Sequence, residues 1–139
     1  MDTTQLLKSA SDLVPKLKSR AQLTEDLRQI PQDTIRDLLG CGIYQIGIPR
    51  SYSGNSVKYG VCLDVGVELA KGCGSAAWCY SLWTAHAFLI GHWPLATQDE
   101  VFGGSGFPLC SSSLNPGSSE IQAVDGGYKL SGRWEFSSG

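Results

Sequence analysis

Charged residues are scarce in this chain, and their scarcity argues against several classes of protein. Asp, Glu, Lys and Arg make up 17% of its 139 residues, and the formal net charge is −2. Nucleic-acid-binding domains usually carry a basic patch or stripe, and anionic lipid attracts dense clusters of Lys and Arg. The basic residues here are scattered along the chain. We therefore expect neither nucleic acid nor a membrane surface as a partner.

The spacings typical of metal sites are also lacking. The five cysteines form no Cys-x-x-Cys pair, and the two histidines, His86 and His92, have no cysteine ladder beside them. Six residues on a helix correspond to about 240°, so the two histidines would point in different directions. We therefore predict no metal site. Free thiols, and an N-terminus without the charged-then-apolar design of a secretory signal, favour a cytoplasmic location.

No charged residue occurs between Gly72 and Gln98. A membrane span needs about 20 predominantly apolar residues. Here polar residues such as Ser81, Thr84 and His86 interrupt the run. Because polar groups are costly in lipid, the pattern predicts a helix over residues 76–92, buried in the middle of a helical domain.

Helical periodicity dominates the first hundred residues. Leu6, Leu13 and Leu17 recur at helical spacing, with Pro15 as a candidate break or kink. Ser75 is a candidate N-cap for the buried helix. The pattern predicts one or two helices over 3–29, further helices from Pro31 to Gly40 or Gly42, over 57–71 and over 76–92, a short one from Pro94 to Val101, and an extended piece over 43–49.

After the glycine-rich joint at residues 103–106 the period changes to that of strands. We predict strands over 109–114, 121–124 and 128–137, with the hairpin signal Asp-Gly-Gly at 125–127. The fold class is α+β, with two domains: a helical one at 1–104 and the start of a β domain at 105–139. Because three strands rarely stand alone with open edges, the chain looks like a piece of a larger protein.

Two groups of polar residues are candidates for chemistry. His86, inside the charge-free helix, either faces a pocket, where it could bind or deprotonate a substrate hydroxyl, or is a core histidine bonded to a backbone carbonyl. Alternation places Ser111 and Ser113 on one face of a strand and Ser112 on the other. The first two either line a polar ligand or face solvent.

The end of the chain combines a flat aromatic side chain with hydroxyls. Phe136 is followed by Ser137, Ser138 and Gly139. Phe136 either packs on a ligand ring beside a serine hydroxyl, or is a core aromatic before a turn. Trp78 and Trp83 are expected in the core.

Four segments together carry a resemblance to a known family. They are Arg20–Arg28 with Pro31; Gly42–Tyr44 with Pro49 and Tyr52–Gly54; Cys73–Trp78; and Asp125–Tyr128 with Gly132, Trp134 and Ser137–Gly139. In this order and spacing the chain resembles the acyl-CoA dehydrogenase superfamily. It is most similar to the flavin-dependent monooxygenase branch, the oxygenase components of two-component aromatic and steroid-phenol hydroxylases.

The resemblance implies an N-terminal helical domain, a middle β-barrel and a C-terminal helical bundle, of which this chain holds the first and the opening strands of an incomplete barrel. It also implies site residues. Ser138 would lie near the flavin N5 edge and Phe136 would pack against the isoalloxazine. Ser111 and Ser113 would border the ring, and His86 would face the substrate.

The function implied is hydroxylation of a small aromatic or phenolic substrate with O2 and reduced flavin (FMNH2 or FADH2) supplied by a separate flavin reductase. The parent would be a homo-oligomer, a tetramer. The dehydrogenases carry an acidic turn where this chain has Leu114–Glu120, which favours the monooxygenase branch.

Two alternatives stand beside this hypothesis. One is an acyl-CoA dehydrogenase, an FAD-dependent oxidoreductase that acts on CH–CH bonds. The other is a non-catalytic helical interaction fragment, because the isolated chain would lack half of a flavin site. On either view we expect the isolated piece to be inactive.

Overall fold

The computed structural model describes residues 1–138 apart from positions 56, 105, 114 and 116. This part of the chain is mostly helical and ends in a small antiparallel sheet. The elements are α1 (Thr3–Leu27), α2 (Gln32–Gly40), α3 (Val61–Ala70), α4 (Gly74–Ile90), α5 (Leu95–Phe102), β1 (Glu120–Val124) and β2 (Gly127–Ser131), with 3₁₀ turns at Tyr44–Ile46 and Arg50–Tyr52. Among the described helices, none combines the length and apolarity needed to cross a bilayer.

Helix α1 is continuous over 25 residues. It begins with a capping box: the Gln5 amide donates to the Asp2 carboxylate at 2.8 Å, and the Asp2 amide donates to Gln5 Oε1 at 2.9 Å. Pro15 lies inside the helix without breaking it. Leu13 and Leu17, on either side, are buried in the core, so tertiary packing outweighs the hydrogen bond that proline removes.

Helix α3 packs against both α1 and α4, and this three-helix contact forms the centre of the core. Helix α4 is apolar all round, as its charge-free sequence predicts, and Tyr80 is fully buried within it. The Tyr80 hydroxyl donates to the carbonyl of Ile43 at 3.3 Å. This bond ties the middle of α4 to the connection that follows α2.

The predicted extended piece over 43–49 is wrong, because its backbone forms a 3₁₀ turn at Tyr44–Ile46. Ile43, Tyr44, Ile46 and Ile48 are all buried, and their near-alternation along the sequence resembles that of a strand. The amide of Ile46 instead donates to the carbonyl of Ile43, three residues back. The apolar pattern identified the burial of this connection but not its backbone.

The predicted N-cap of α4 is also wrong. Cys73 occupies the N-cap position, and no side chain there accepts a backbone hydrogen bond. Ser75 lies inside the first turn, and its hydroxyl donates to Glu25 Oε1 near the end of α1 at 3.1 Å. The serine therefore joins two helices instead of capping one.

The hairpin predicted at 125–127 is confirmed. Strands β1 and β2 pair antiparallel with Glu120 opposite Ser131 and Val124 opposite Gly127, and Gly126 in the turn has φ +78°. The strand predicted over 128–137 ends early, at residue 131. Residues 109–113 form no strand, and positions 114, 116 and 139 of the predicted β segments lie outside the described residues.

The contact between α1 and α2 provides a test of pH dependence. Arg20 Nη1 donates to Asp37 Oδ2 at 2.8 Å, and Lys16 Nζ to Asp37 Oδ1 at 3.3 Å. The Arg20 hydrogen bond holds the pKa of Asp37 below its ordinary value of 3.8. A carboxyl with a depressed folded-state pKa stabilises the fold above its unfolded-state pKa, and this contribution is lost as the pH falls through the folded-state value.

We therefore expect Asp37→Asn to lower the free energy of unfolding by about 1 kcal/mol at neutral pH, and the difference from wild type to disappear at a pH below both values. Urea unfolding at the two pH values measures it. Asp12→Asn is the control, since its ion pair with Lys8 is exposed on both sides and should change stability little. Equal effects of the two substitutions at neutral pH would contradict the prediction.

Candidate functional site

A cleft of about 860 Å³ lies where the C-terminal end of α1 meets the N-terminal half of α4. Its volume is typical of sites for small organic ligands. The segment at residues 137–138 closes one side of it. The lining residues are Thr24, Glu25, Arg28, Gln29, Ile30, Gln32, Ile35, Gly74, Ser75, Trp78, Cys79, Trp83, Leu109, Ser137 and Ser138.

The cleft has a buried floor and an aromatic rim. Thr24, Ile30 and Trp83 are 4%, 8% and 2% exposed, whereas Trp78, which the sequence predicts in the core, is 60% exposed. The hydroxyl of Thr24 donates to the Arg20 carbonyl within α1 at 3.0 Å, so its proton is already engaged. The lining mixes apolar and aromatic side chains with polar ones, which suits a ring ligand that carries hydrogen-bonding groups at its edge.

One polar atom on the floor has no partner. Among the described residues, Trp83 Nε1 is the buried side-chain nitrogen or oxygen that lacks a hydrogen bond. A buried donor without an acceptor is costly and rare in native proteins. A flavin ring fits this lining, because isoalloxazine is flat and carries carbonyl oxygens and ring nitrogens that accept hydrogen bonds, and the hydroxyls of Ser137 and Ser138 are present on the same cleft wall.

Cys79 also lines the cleft, but its thiol is not activated as a nucleophile. Burial raises the pKa of the Cys79 thiol above its ordinary value, so the nucleophilic thiolate is disfavoured. Over the residues that the structure describes, no three His, Cys, Asp or Glu side chains come together in a way that could hold a metal ion. The cleft is therefore better suited to binding a ring than to covalent attack by its own cysteine.

His86 lies one helical turn beyond Trp83 on α4 and is fixed at both ring nitrogens. Nδ1 lies 2.8 Å from the carbonyl oxygen of Cys110, and Nε2 lies 2.8 Å from Oγ of Ser112. A carbonyl only accepts, so Nδ1 carries the proton and Nε2 of the neutral ring accepts from the Ser112 hydroxyl. The ring nitrogen available to take a proton is thus Nε2, with Ser112 in front of it.

The hydroxyls of Ser111 and Ser113 lie on the side of residues 109–113 opposite Ser112 and hydrogen-bond to residues near the end of the chain. Ser137 donates to Oγ of Ser111 at 3.3 Å, and Ser113 donates to the Glu135 carbonyl at 2.8 Å. Ser111 and Ser113 thus share one face and Ser112 takes the other, as alternation predicts, although no strand forms. Residues 109–113 therefore contact His86 on one side and residues 135–137 on the other. Leu109, at the start of this segment, lines the cleft.

The five residues singled out from the sequence are placed as follows. Ser138 lines the cleft, and Ser111 and Ser113 bind residues 135–137. His86, on α4, contacts Cys110 and Ser112 and does not line the cleft. Phe136 is 91% exposed, with φ +58°. Their roles toward a flavin or a substrate stay predictions.

Two residues of this region were missed. The sequence predicts Trp83 in the core, which its burial confirms, but it does not reveal the unpartnered nitrogen. It places Ser112 on the face opposite Ser111 and Ser113 without giving it a partner. That same alternation was the available signal, since it turns Ser112 toward α4, where His86 lies.

No protein-family model matches the chain. It is 32% identical over 138 residues to the oxygenase subunit HsaA of a flavin-dependent monooxygenase from Mycobacterium tuberculosis, covering 99% of this chain and 35% of that protein. It is 34% identical over 122 residues to the oxygenase component of the FADH(2)-dependent resorcinol hydroxylase of a Rhizobium species, covering 88% of this chain and 30% of the relative.

The fold agrees with these similarities. The crystal structure of the HsaA monooxygenase from M. tuberculosis matches with a TM-score of 0.91 at 29% identity, over 99% of this chain and 37% of that one. The chain therefore spans about a third of the length of the relatives it matches.

Proposed function

We propose that this chain, whose homologues are oxygenase components of flavin-dependent monooxygenases, is part of an enzyme that hydroxylates a small aromatic, phenolic substrate with O2 and reduced flavin. The observation that carries the proposal is the cleft, which joins the exposed Trp78, the serines 137 and 138 and the buried Trp83 in one lining. Resorcinol in the name of one relative supports a phenol as substrate.

The residues of the cleft divide into those that hold a ring and those that exclude water. Trp78 offers a flat face at the rim, and the hydroxyls of Ser137 and Ser138 offer hydrogen bonds at one wall. Ile30 and Trp83 form a buried floor. The reduced flavin, when bound, would supply the electrons that activate O2, and the buried floor would limit the access of water to reactive species.

His86 is proposed to receive or orient the proton of the substrate hydroxyl. Its Nδ1 proton is held by the Cys110 carbonyl, so Nε2 is the accepting atom. The Ser112 hydroxyl lies on Nε2, so a phenolic hydroxyl reaches this base either through Ser112 or by displacing it. Removing the phenolic proton makes the ring more electron-rich and easier to oxygenate.

The wider assembly also belongs to the proposal. The two strands after residue 119 would open a middle β-barrel, residues 1–104 would form the helical domain, and the parent would be a cytoplasmic homo-oligomer fed by a separate flavin reductase. The names of the relatives as oxygenase subunits or components support the reductase. A flavin shuttled between two proteins must bind reversibly, which an open cleft allows.

The test is anaerobic titration of the 139-residue chain with reduced FMN and reduced FAD, followed by tryptophan fluorescence. We expect saturable binding and a dissociation constant raised roughly two- to tenfold in Ser138→Ala, because one hydrogen bond to the ring is lost. Ser131→Ala, an exposed serine at the end of β2, is the matched control and should bind as wild type does. Equal affinities of all three proteins would remove Ser138 from the site.

A further inference from the structure

We propose that the indole N–H of Trp83 is a ligand-binding donor, which bonds an oxygen on the conjugated ring that occupies the cleft. The inference rests on the proposed function and deepens it, because it assigns the polar contact at the floor of the site. The acceptor is an oxygen in conjugation with an aromatic system, carried either by the flavin ring or by the phenolic substrate.

The burial of Trp83 makes its missing partner informative. The side chain is 2% exposed, and Nε1 is out of reach of water. A tryptophan at the surface can leave its N–H to solvent, but a buried one usually finds a partner within the protein. The indole also lines a cleft large enough for a ring ligand, so a small displacement of the neighbouring lining would bring Nε1 within reach of a ligand oxygen.

The other floor residues do not compete for this acceptor. Thr24 has engaged its hydroxyl proton with the Arg20 carbonyl at 3.0 Å, and Ile30 is apolar. Trp83 therefore offers the one uncommitted side-chain donor among the described floor residues Thr24, Ile30 and Trp83. Together with the hydroxyls of Ser137 and Ser138 in the same cleft, this donor would restrict the orientation of a flat ligand.

The shielding of Nε1 also predicts how binding proceeds. Because water does not reach this atom, a ligand oxygen reaches it only after a small displacement of the neighbouring lining. The donor is already desolvated in the free protein, so the new bond is opposed by little loss of hydration on the protein side. Binding should therefore change the fluorescence of Trp83 itself.

The experiment replaces the N–H of Trp83 without changing its shape. The isostere 3-benzothienylalanine, with sulfur in place of N–H, is incorporated at position 83, and Trp83→Phe serves as a second variant that is fully encoded. The same isostere at Trp93, which is 52% exposed and does not line the cleft, is the matched control. Each protein is titrated anaerobically with reduced FMN and, separately, with resorcinol, and its thermal midpoint is measured without ligand.

We expect the isostere at position 83 to raise the dissociation constant for one of the two probes roughly three- to tenfold. The probe affected identifies the source of the acceptor. The thermal midpoint without ligand should stay equal or rise, because an unsatisfied buried donor has been removed. The control at position 93 should leave the affinities within about twofold.

Three results would overturn the inference, and they are distinguishable. Unchanged affinity for both probes would make Trp83 a core residue and leave the proposed function standing. A fall in the thermal midpoint without ligand would show that the N–H already has a partner in the fold. Failure of the wild-type chain to bind either probe would remove the flavin and substrate site from this chain, and the inference with it.

Discussion

Replacing Gly54 by alanine is expected to lower the free energy of unfolding by about 3 kcal/mol or more. A Cβ at this position would overlap the carbonyl oxygen of Ile48 and lie 2.5 Å from its carbonyl carbon and 2.9 Å from that of Pro49. These atoms are backbone, so no rotamer change relieves the clash. The turn from 48 to 54 would have to open, with loss of the hydrogen bond from the Gly54 amide to the Pro49 carbonyl.

Urea unfolding, followed by circular dichroism, measures the effect. Gly60→Ala is the matched control, because a Cβ there meets nothing within 4 Å; its free energy of unfolding should stay within about 0.5 kcal/mol of wild type. Since a domain is stabilised by only about 5–15 kcal/mol in total, the Gly54 variant should unfold at a much lower urea concentration. Identical midpoints for the two variants would show that the turn relaxes without cost.

The second large effect concerns turnover and requires a full-length oxygenase that carries this segment. There we expect His86→Gln to lower the rate of hydroxylation by a factor of about 100 or more, while reduced flavin binds as before. Glutamine can replace the hydrogen bond to the Cys110 carbonyl, but it cannot accept a proton as Nε2 does. Single-turnover product formation and flavin titration, run on the same samples, separate the two quantities.

Ser112→Ala is the companion variant, because it removes the hydroxyl on Nε2 and leaves the imidazole in place. We expect it to lower the rate by less than His86→Gln does. Unchanged turnover in the His86 variant, combined with a lower thermal midpoint, would instead assign the histidine to holding residues 110–112 against α4.

Much of the helical part follows from the sequence, because burial of one face imposes a period of 3.6 residues whatever lies opposite. The connection after α2 does not follow. Ile43, Tyr44, Ile46 and Ile48 alternate almost as a strand would, yet a 3₁₀ turn buries them all. A short apolar run has too few residues to distinguish the two periods, and contact with α4 decides the outcome.

In the candidate site, the sequence predicts the directions of side chains better than it predicts which residues they contact. Alternation correctly separated Ser112 from Ser111 and Ser113, since side-chain direction is a local property of extended backbone. That Ser112 meets His86, 26 residues away, depends on where the segment 109–113 lies across α4. The unpartnered nitrogen of Trp83 was also beyond prediction, because a missing contact depends on every neighbour at once.

Helix α1 contributes to two different parts of the molecule along its length. Its first four turns bury Leu6, Ala10, Leu13 and Leu17 in the core, whereas its last turn presents Thr24 and Glu25 to the cleft. Substitutions near the beginning of α1 should therefore affect folding. Substitutions near its end should affect which ligand the cleft prefers. The ligand preference of the cleft can therefore change during evolution through residues at the end of α1, without substitutions in the core residues at its beginning.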